Sequence, residues 1–188
     1  MSFLNKNPAL LLIDIQKGFL DESYWGGNRN NKNAEEISGS ILQKWREYHL
    51  PIFHVQHRST NPKSKLHPSN PGFAFQDTVL PLPNEPIITK HVNSAFIGTN
   101  LKQLLDEQQI STLVIVGLTT NHCVSTTTRM AGNYGYETYI ISDATAAFNR
   151  VGIAGENYDS TLIHLTALAN LNDEFATVWN SQQLFKHI

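Results

Sequence analysis

The chain has 188 residues, a formal net charge of −2 at pH 7, 40% hydrophobic residues and a single cysteine. This composition predicts one folded domain over residues 1–188, and it excludes a disordered chain, an intrachain disulfide framework and a cysteine-rich zinc site. The charge is nearly balanced and no stretch approaches the roughly 20 apolar residues of a membrane span. We therefore expect a soluble, cytoplasmic protein that binds neither nucleic acid nor a membrane.

Strand-like and helix-like segments alternate along the chain. The apolar run 9–15 ("ALLLIDI") predicts a strand buried on both faces, and a helix is predicted from about Asn33. The apolar stripe of this helix consists of Ile37, Ile41, Trp45 and Tyr48. Further strands are predicted at 51–57 and 86–90. Between them lies the Pro-rich segment 58–84, which we expect to shape a site or an interface.

The second half of the chain continues the alternation. Helices are predicted at about 97–108, 123–134 and 155–171, and strands at 112–117, 137–142 and 175–179. The candidate core positions of the last helix are Tyr158, Leu162, Leu165 and Leu168. Strands that alternate with helices form βαβ units, so the pattern predicts a three-layer α/β domain with a parallel sheet.

Three reactive side chains fall where predicted strands end. Asp14 ends the first strand, Lys90 ends the third, and Cys123 follows the fourth across a short turn. Function collects beyond the carboxyl ends of strands in open α/β sheets, so this pattern predicts a site that combines an acid, a base and a nucleophile. Taken singly, Asp14 fits a helix cap or turn, Lys90 a surface lysine, and Cys123 a small buried hydrophobic residue.

The position of Cys123 at a predicted helix N-terminus favours a nucleophile. Unpaired backbone N–H groups and the helix dipole stabilise an anion there, so we expect the pKa of the thiol to fall below about 8.5. His122 is adjacent to Cys123 and projects in a different direction, which makes it a packing or pocket residue rather than the base. Asp14 is the better candidate for the base.

The segments "LLIDIQKGFL", "ITKHVNSAFIGTNL" and "VIVGLTTNHCVSTTTRMAGNYGYETYIISDAT" resemble the isochorismatase-like cysteine hydrolases, which include nicotinamidases and N-carbamoylsarcosine amidohydrolases. The resemblance runs in consistent order over residues 9–147. It implies a three-layer α/β/α fold around a six-stranded parallel sheet. It also implies that Asp14, Lys90 and Cys123 form a catalytic triad.

The same resemblance implies a reaction and its electrostatic support. A non-proline cis peptide bond is expected at Leu118–Thr119, with the backbone N–H groups of Thr119 and Cys123 forming an oxyanion hole. Asp14 would take the thiol proton while Lys90 holds the anionic partners in place. Cys123 would attack the carbonyl of a small amide or other C–N compound, and water would cleave the resulting thioester.

Departures from the family pattern bear on the metal and the substrate. The family branch that acts on isochorismate lacks the cysteine nucleophile, so Cys123 argues against ether hydrolysis. Nicotinamidases carry a metal site built on an Asp-x-His pair, whereas "FHVQHRSTNPKSKLHP" offers His54, His57 and His67 without it. Because His54 and His57 point to opposite faces of a strand, we predict no metal and no cofactor. His54 is then packed in the sheet, and His57 is a loop or pocket residue near the strand end.

The substrate pocket is predicted from residues near the triad in sequence: Gln16, Phe19, Trp25, Phe96 and Asn121. Aromatic walls with amide side chains suit a small, flat or apolar amide. Core packing is an equal interpretation for Phe19 and Phe96, and Trp25 fits a lid or a subunit contact. Family members are commonly oligomeric, so the resemblance implies a dimer or tetramer.

Three alternatives to a metal-free cysteine hydrolase remain open at this point. The chain could be a non-catalytic module that binds a small molecule or a protein on the same fold. It could be a metal-dependent enzyme of the nicotinamidase type. A peroxide-sensing thiol protein ranks last, because the chain has no second cysteine to resolve a sulfenic acid.

Overall fold

The computed structural model describes residues 3–188, which form a six-stranded parallel sheet flanked by helices. The strands of this sheet are β1 (Ala9–Ile13), β2 (Ile52–His57), β3 (Ile87–Lys90), β4 (Thr112–Leu118), β5 (Glu137–Ala146) and β8 (Thr177–Trp179). Two further strands, β6 (Arg150–Val151) and β7 (Asn157–Tyr158), form a separate antiparallel hairpin. The sheet order is β3-β2-β1-β4-β5-β8. The chain therefore winds outward in both directions from β1 and β4, which places the topological switch point between them.

The helices cover both faces of the sheet. They are α1 (Glu22–Trp25), α2 (Ala34–Glu47), α3 (Leu101–Glu107), α4 (Ser125–Asn133), α5 (Ser160–Ala169) and α6 (Ser181–Phe185). Alternate residues of β1 enter two separate hydrophobic clusters: Leu11 and Ile13 pack with residues of α3 and α4, whereas Leu10 and Leu12 pack with α2. The two clusters confirm the predicted three-layer α/β/α fold with a strand buried on both faces.

The core face predicted for α5 is wrong at three of its four positions. Tyr158, Leu162 and Leu165 are exposed, and only Leu168 is buried. Ser160 and His164 face inward instead, where Asn28 Nδ2 donates to Ser160 Oγ and Thr120 Oγ1 pairs with His164 Nδ1 at 2.8 Å. Polar partners on neighbouring loops thus set the orientation of this helix.

Two other boundaries differ from the sequence prediction. The segment before α5 forms the β6–β7 hairpin rather than helix, and β5 extends to Ala146 rather than ending at residue 142. Among residues 3–188, no helix is both long enough and apolar enough to cross a bilayer.

Candidate active site

The ends of β1, β3 and β4 bring the three predicted reactive side chains together. Asp14 follows β1, Lys90 is the last residue of β3, and Cys123 lies in a π-helical turn, Thr120–Val124, just after β4. Lys90 Nζ donates to Oδ2 of Asp14 at 2.6 Å, and neither side chain has exposed surface. A carboxylate oxygen of Asp14, Sγ of Cys123 and a ring nitrogen of His57 lie within 4.8 Å of one another.

The ammonium of Lys90 has an acceptor for each of its three protons. These are Oδ2 of Asp14, Nδ1 of His57 at 3.0 Å, and the carbonyl oxygen of Val92 at 3.2 Å. Burial alone would lower the pKa of Lys90, but its interactions with Asp14 and Cys123, that with the Asp14 carboxylate above all, outweigh burial and raise the pKa above its ordinary value. Lys90 is therefore a fixed cation, and it cannot serve as a proton acceptor at neutral pH.

Asp14 has one carboxylate oxygen committed and one available. Oδ2 accepts from Lys90, whereas the buried Oδ1 has no hydrogen-bond partner among residues 3–188. The backbone of Asp14 has a positive φ of 52°, a conformation that Asp tolerates better than most residues, and its N–H donates to the carbonyl of Val55. The chain turns out of the sheet at this residue, and a buried acceptor is left beside the thiol.

Cys123 is buried, with 8% of its surface exposed, and its Sγ donates to Oδ1 of Asn93 at 3.7 Å. Burial is the largest influence on the thiol and the negative charge of Asp14 is the next; together they raise its pKa, while Lys90 acts in the opposite direction. The prediction of a lowered thiol pKa is therefore wrong. A helix dipole acts within the first turn and does not offset removal from water plus a neighbouring carboxylate.

The backbone between β4 and Cys123 has two unusual features. Gly117 has a φ of +120°, and a Cβ there would lie 2.1 Å from the carbonyl oxygen of Ile13, so glycine alone permits this approach of β4 to β1. The peptide bond Leu118–Thr119 is cis. The N–H of Thr119 donates to no other group in the described part of the chain, and Thr119 borders the same cavity as Cys123.

A cavity of about 400 Å³ opens over Cys123. Its apolar wall consists of Phe19, Tyr24, Trp25, Leu66 and Phe148. The rings of Phe19 and Trp25 stack with centroids 4.6 Å apart, and Trp25 Nε1 donates to the carbonyl of Gly18 at 2.8 Å, which fixes the indole. Of the residues predicted to contact substrate, the cavity includes Phe19, Trp25 and Asn121.

Two predicted pocket residues do not line the cavity. Gln16 is fully buried: its Nε2 donates to the carbonyls of His57 and Phe73, and its Oε1 accepts from the N–H of His57. It therefore fixes the backbone of a wall residue and has no free group for substrate. Phe96 belongs to the core, packed against Tyr134 with ring centroids 5.3 Å apart.

Four residues of the site carried little signal in the sequence: Asn93, His57, Phe148 and Arg150. The sequence predicts only a loop or pocket residue near the strand end at His57, whereas the structure pairs it with Lys90 across the ends of β2 and β3. Matching the last residues of adjacent predicted strands would have found this pair. No comparable pattern marks Asn93, Phe148 or Arg150, because they follow irregular segments.

The three histidines considered for a metal lie in different environments. His54 is fully buried in β2, with Nε2 2.8 Å from Oε2 of Glu85, and His67 pairs with Ser69 on its own loop. His57 lies near Asp14 and Cys123, a grouping that could hold a metal ion. The ammonium of Lys90 already lies within hydrogen-bond distance of two of these groups, so the protein supplies its own cation there.

The protein therefore has an open parallel α/β fold in which a carboxylate, an ammonium and a thiol lie together beside the switch point of the sheet. This arrangement is typical of a site built around a cysteine nucleophile. A family model described as the isochorismatase domain matches residues 8–183, and the chain belongs to the isochorismatase family of hydrolases. It is 51% identical to YrdC of Bacillus subtilis, described as an uncharacterized isochorismatase family protein, over 181 residues that cover 96% of each chain. Maleamate amidohydrolase of Pseudomonas putida is 25% identical over 152 residues, covering 73% of this chain and 71% of that one.

The fold comparison agrees with the family assignment. A solved isochorismatase-family structure from Chromobacterium violaceum matches with a TM-score of 0.94 and 38% identity, covering 100% of this chain and 96% of that one.

Proposed function

We propose that the protein hydrolyses a small amide, or a related C–N bond, through a thioester on Cys123. The observation that carries the proposal is the position of Oδ1 of Asp14. This oxygen is buried without a hydrogen-bond partner among residues 3–188, and it lies beside a thiol that must lose its proton when it attacks a carbonyl. A thiol with a raised pKa is not ionised in advance, so the reaction requires a base within reach during attack. Asp14 is placed for that task, because Lys90 occupies only its other oxygen.

The proposed reaction has two halves. In the first, Oδ1 of Asp14 takes the Sγ proton, the S–C bond forms, and the oxyanion accepts hydrogen bonds from the N–H groups of Thr119 and Cys123. The C–N bond then breaks, and Asp14 returns the proton to the nitrogen, which leaves as ammonia or an amine. In the second half, Asp14 takes a proton from water, oxygen attacks the thioester, and the S–C bond breaks with reprotonation of Cys123.

The proposal requires neither a metal ion nor a cofactor. The charge that develops near the sulfur faces the buried ammonium of Lys90, which performs the electrostatic task that a bound cation performs elsewhere. The relationship to maleamate amidohydrolase, a protein named for amide hydrolysis, also supports a C–N bond as the target.

The test is a panel of small amides assayed for ammonia release, together with intact-protein mass spectrometry after rapid acid quench. We expect turnover by the parent protein and an acyl adduct on Cys123, with both abolished in Cys123→Ala. His67→Ala, which changes a residue that does not border the cavity, is the control, and it should retain both turnover and the adduct. Full turnover in Cys123→Ala would sink the proposal, and binding of amides without turnover would favour the non-catalytic module instead.

A further inference from the structure

The cavity over Cys123 carries an uneven charge. Its polar lining consists of hydroxyl and amide groups from Ser59, Asn61, Ser64, Asn93, Thr119 and Asn121, which are neutral. Two histidines, His57 and His122, also border the cavity. Burial is the main cause of the lowered pKa of each, so both rings are neutral at pH 7. Arg150 is the lining residue that carries a charge at pH 7, and no carboxylate among residues 3–188 borders the cavity.

Arg150 is held at this position without being neutralised. It begins β6, and its Nη2 contacts Nε2 of His122, the residue next to Cys123. Among residues 3–188, Arg150 forms no ion pair within 4.0 Å of a carboxylate. Arg150 is exposed, whereas two buried cations of the fold are each paired with a carboxylate: Arg29 with Glu35, and Lys90 with Asp14.

The triad below the cavity does not change this balance. Asp14 and Lys90 are both fully buried and cancel each other at 2.6 Å. A ligand that enters therefore meets one uncompensated positive charge at the mouth and apolar aromatic surface along the wall, formed by Phe19, Trp25 and Phe148. A guanidinium presents paired N–H donors in one plane, which matches the two oxygens of a carboxylate.

From these features we infer that the substrate is a small amide acid: its carboxylate binds Arg150 while its amide carbonyl lies at Cys123. This inference rests on the proposed hydrolase function and adds the class of substrate to it. The cavity volume of about 400 Å³ limits the spacer between the two groups to a short chain or a single ring, which packs against the aromatic wall. His122 is a positioning residue that orients the guanidinium, since its neutral ring accepts from Arg150.

The experiment compares matched amides that differ only in charge. Succinamate is paired with 4-oxopentanamide, and 4-carbamoylbenzoate with 4-acetylbenzamide, so that an acetyl group replaces the carboxylate in each pair. We expect the parent protein to prefer the acid of at least one pair in kcat/KM. In Arg150→Met this preference should fall by about tenfold to a hundredfold, as for a lost charge-assisted hydrogen bond, chiefly through a higher KM.

Two further variants sharpen the result. Arg58→Met removes the same charge from an exposed residue that does not border the cavity, and its preference should match that of the parent. Arg150→Lys keeps the charge without the planar fork and should fall between the parent and Arg150→Met. Thermal unfolding identifies an Arg150 variant that fails to fold. In that case the test is made on the parent protein, whose preference for the acid over the neutral amide should decline as ionic strength rises.

The outcomes separate the inference from the function beneath it. Equal hydrolysis of acid and neutral amides, with an adduct on Cys123, overturns the inference and leaves the hydrolase. If a carboxamide that carries a phosphonate group is preferred over the matched carboxamide that carries a carboxylate, the carboxylate assignment alone is overturned. No adduct and no turnover with any amide overturns the proposed function itself.

Discussion

Lys90 Nζ lies 2.6 Å from Oδ2 of Asp14 with both side chains fully buried, so this ion pair joins the ends of β1 and β3 across β2. Removing two charges from water is expensive, and a buried pair commonly contributes little to the stability of a fold. The pair is better explained by chemistry. It holds a carboxylate and an ammonium in one dry location beside a thiol.

Replacing Lys90 by Met should cost about 3–5 kcal/mol of unfolding free energy, because the carboxylate of Asp14 would be left buried without a partner. Amide hydrolysis should also be lost. Urea unfolding and ammonia release measure the two effects. The control is Lys102→Met, which removes an exposed i,i+4 pair with Asp106 and should change stability by less than about 1 kcal/mol.

A second variant separates stability from chemistry at this pair. Asp14→Asn combined with Lys90→Met removes both charges, so most of the lost unfolding free energy should return while activity stays absent. If the double variant regained turnover, the assignment of Asp14 as the base would be wrong.

Alkylation of Cys123 should report the raised pKa of the thiol. We expect slow reaction of the parent with iodoacetamide at pH 7 and a rate that still rises above pH 9, since the thiolate is the reactive form. Asp14→Asn should speed alkylation at pH 8, because it removes a negative charge that raises the thiol pKa, and Lys90→Met should slow it.

These opposite effects distinguish ground-state reactivity from catalysis. Asp14→Asn should react faster with iodoacetamide and yet hydrolyse no amide. Slower alkylation in that variant would contradict the electrostatic account, and would indicate that Asp14 acts as a base towards iodoacetamide as well. Mass spectrometry of the labelled protein gives the rate directly, since Cys123 is the single cysteine.

The sequence predicts the convergence of Asp14, Lys90 and Cys123 because topology alone requires it. Parallel strands end at one edge of a sheet, and each of these residues falls at such an end. The same reasoning fails for the thiol pKa, which depends on how completely the folded chain removes Cys123 from water. Burial of a single side chain is a tertiary property, whereas proximity to a helix start can be recognised locally.

The orientation of α5 shows a different limit. Exposed Leu162 and Leu165 lie on this helix together with buried Leu168, so apolar residues face both solvent and core and the pattern has no clear amphipathic face. The contacts of Ser160 and His164 with distant loops decide which side turns inward. Arg150 was missed for a related reason, because a two-residue strand is too short to show an alternating pattern.

His57 should support the reaction by fixing the ammonium of Lys90. It provides one of three acceptors, and burial followed by the Lys90 charge lowers the pKa of its ring, so it is neutral when it accepts at pH 7. His57→Ala should reduce kcat by about tenfold, as for one lost hydrogen bond to a charged group. His57→Asn, which can still present an acceptor, should retain more activity.

The control for His57 is His67→Ala, which changes a histidine on the Pro-rich segment 58–84 that does not border the cavity. Its turnover should match that of the parent. The acid limb of the kcat profile provides an independent check: protonation of His57 would place a second cation against Lys90, so activity should be lost as pH falls through the lowered pKa of His57. An unchanged acid limb in His57→Asn would show that another group controls it.

His164 should make the fold less stable in acid. It is buried behind the Cys123 turn, and burial lowers its pKa from 6.5 to about 4. The unfolded chain therefore binds a proton at higher pH than the native protein does, and the contribution of His164 to stability is complete above pH 6.5 and declines as pH falls towards about 4. The lowering of the His164 pKa from 6.5 to about 4 corresponds to about 3 kcal/mol of unfolding free energy.

His164→Gln isolates this contribution from those of other buried histidines. The difference in unfolding free energy between parent and variant should shrink by roughly 3 kcal/mol between pH 7 and pH 4, measured by urea titration at each pH. Leu168→Ala, on the same inward face of α5, creates a cavity without a titrating group, so its cost of about 2–4 kcal/mol should not vary with pH. A constant difference for His164→Gln would mean that its ring does not resist protonation in the native state.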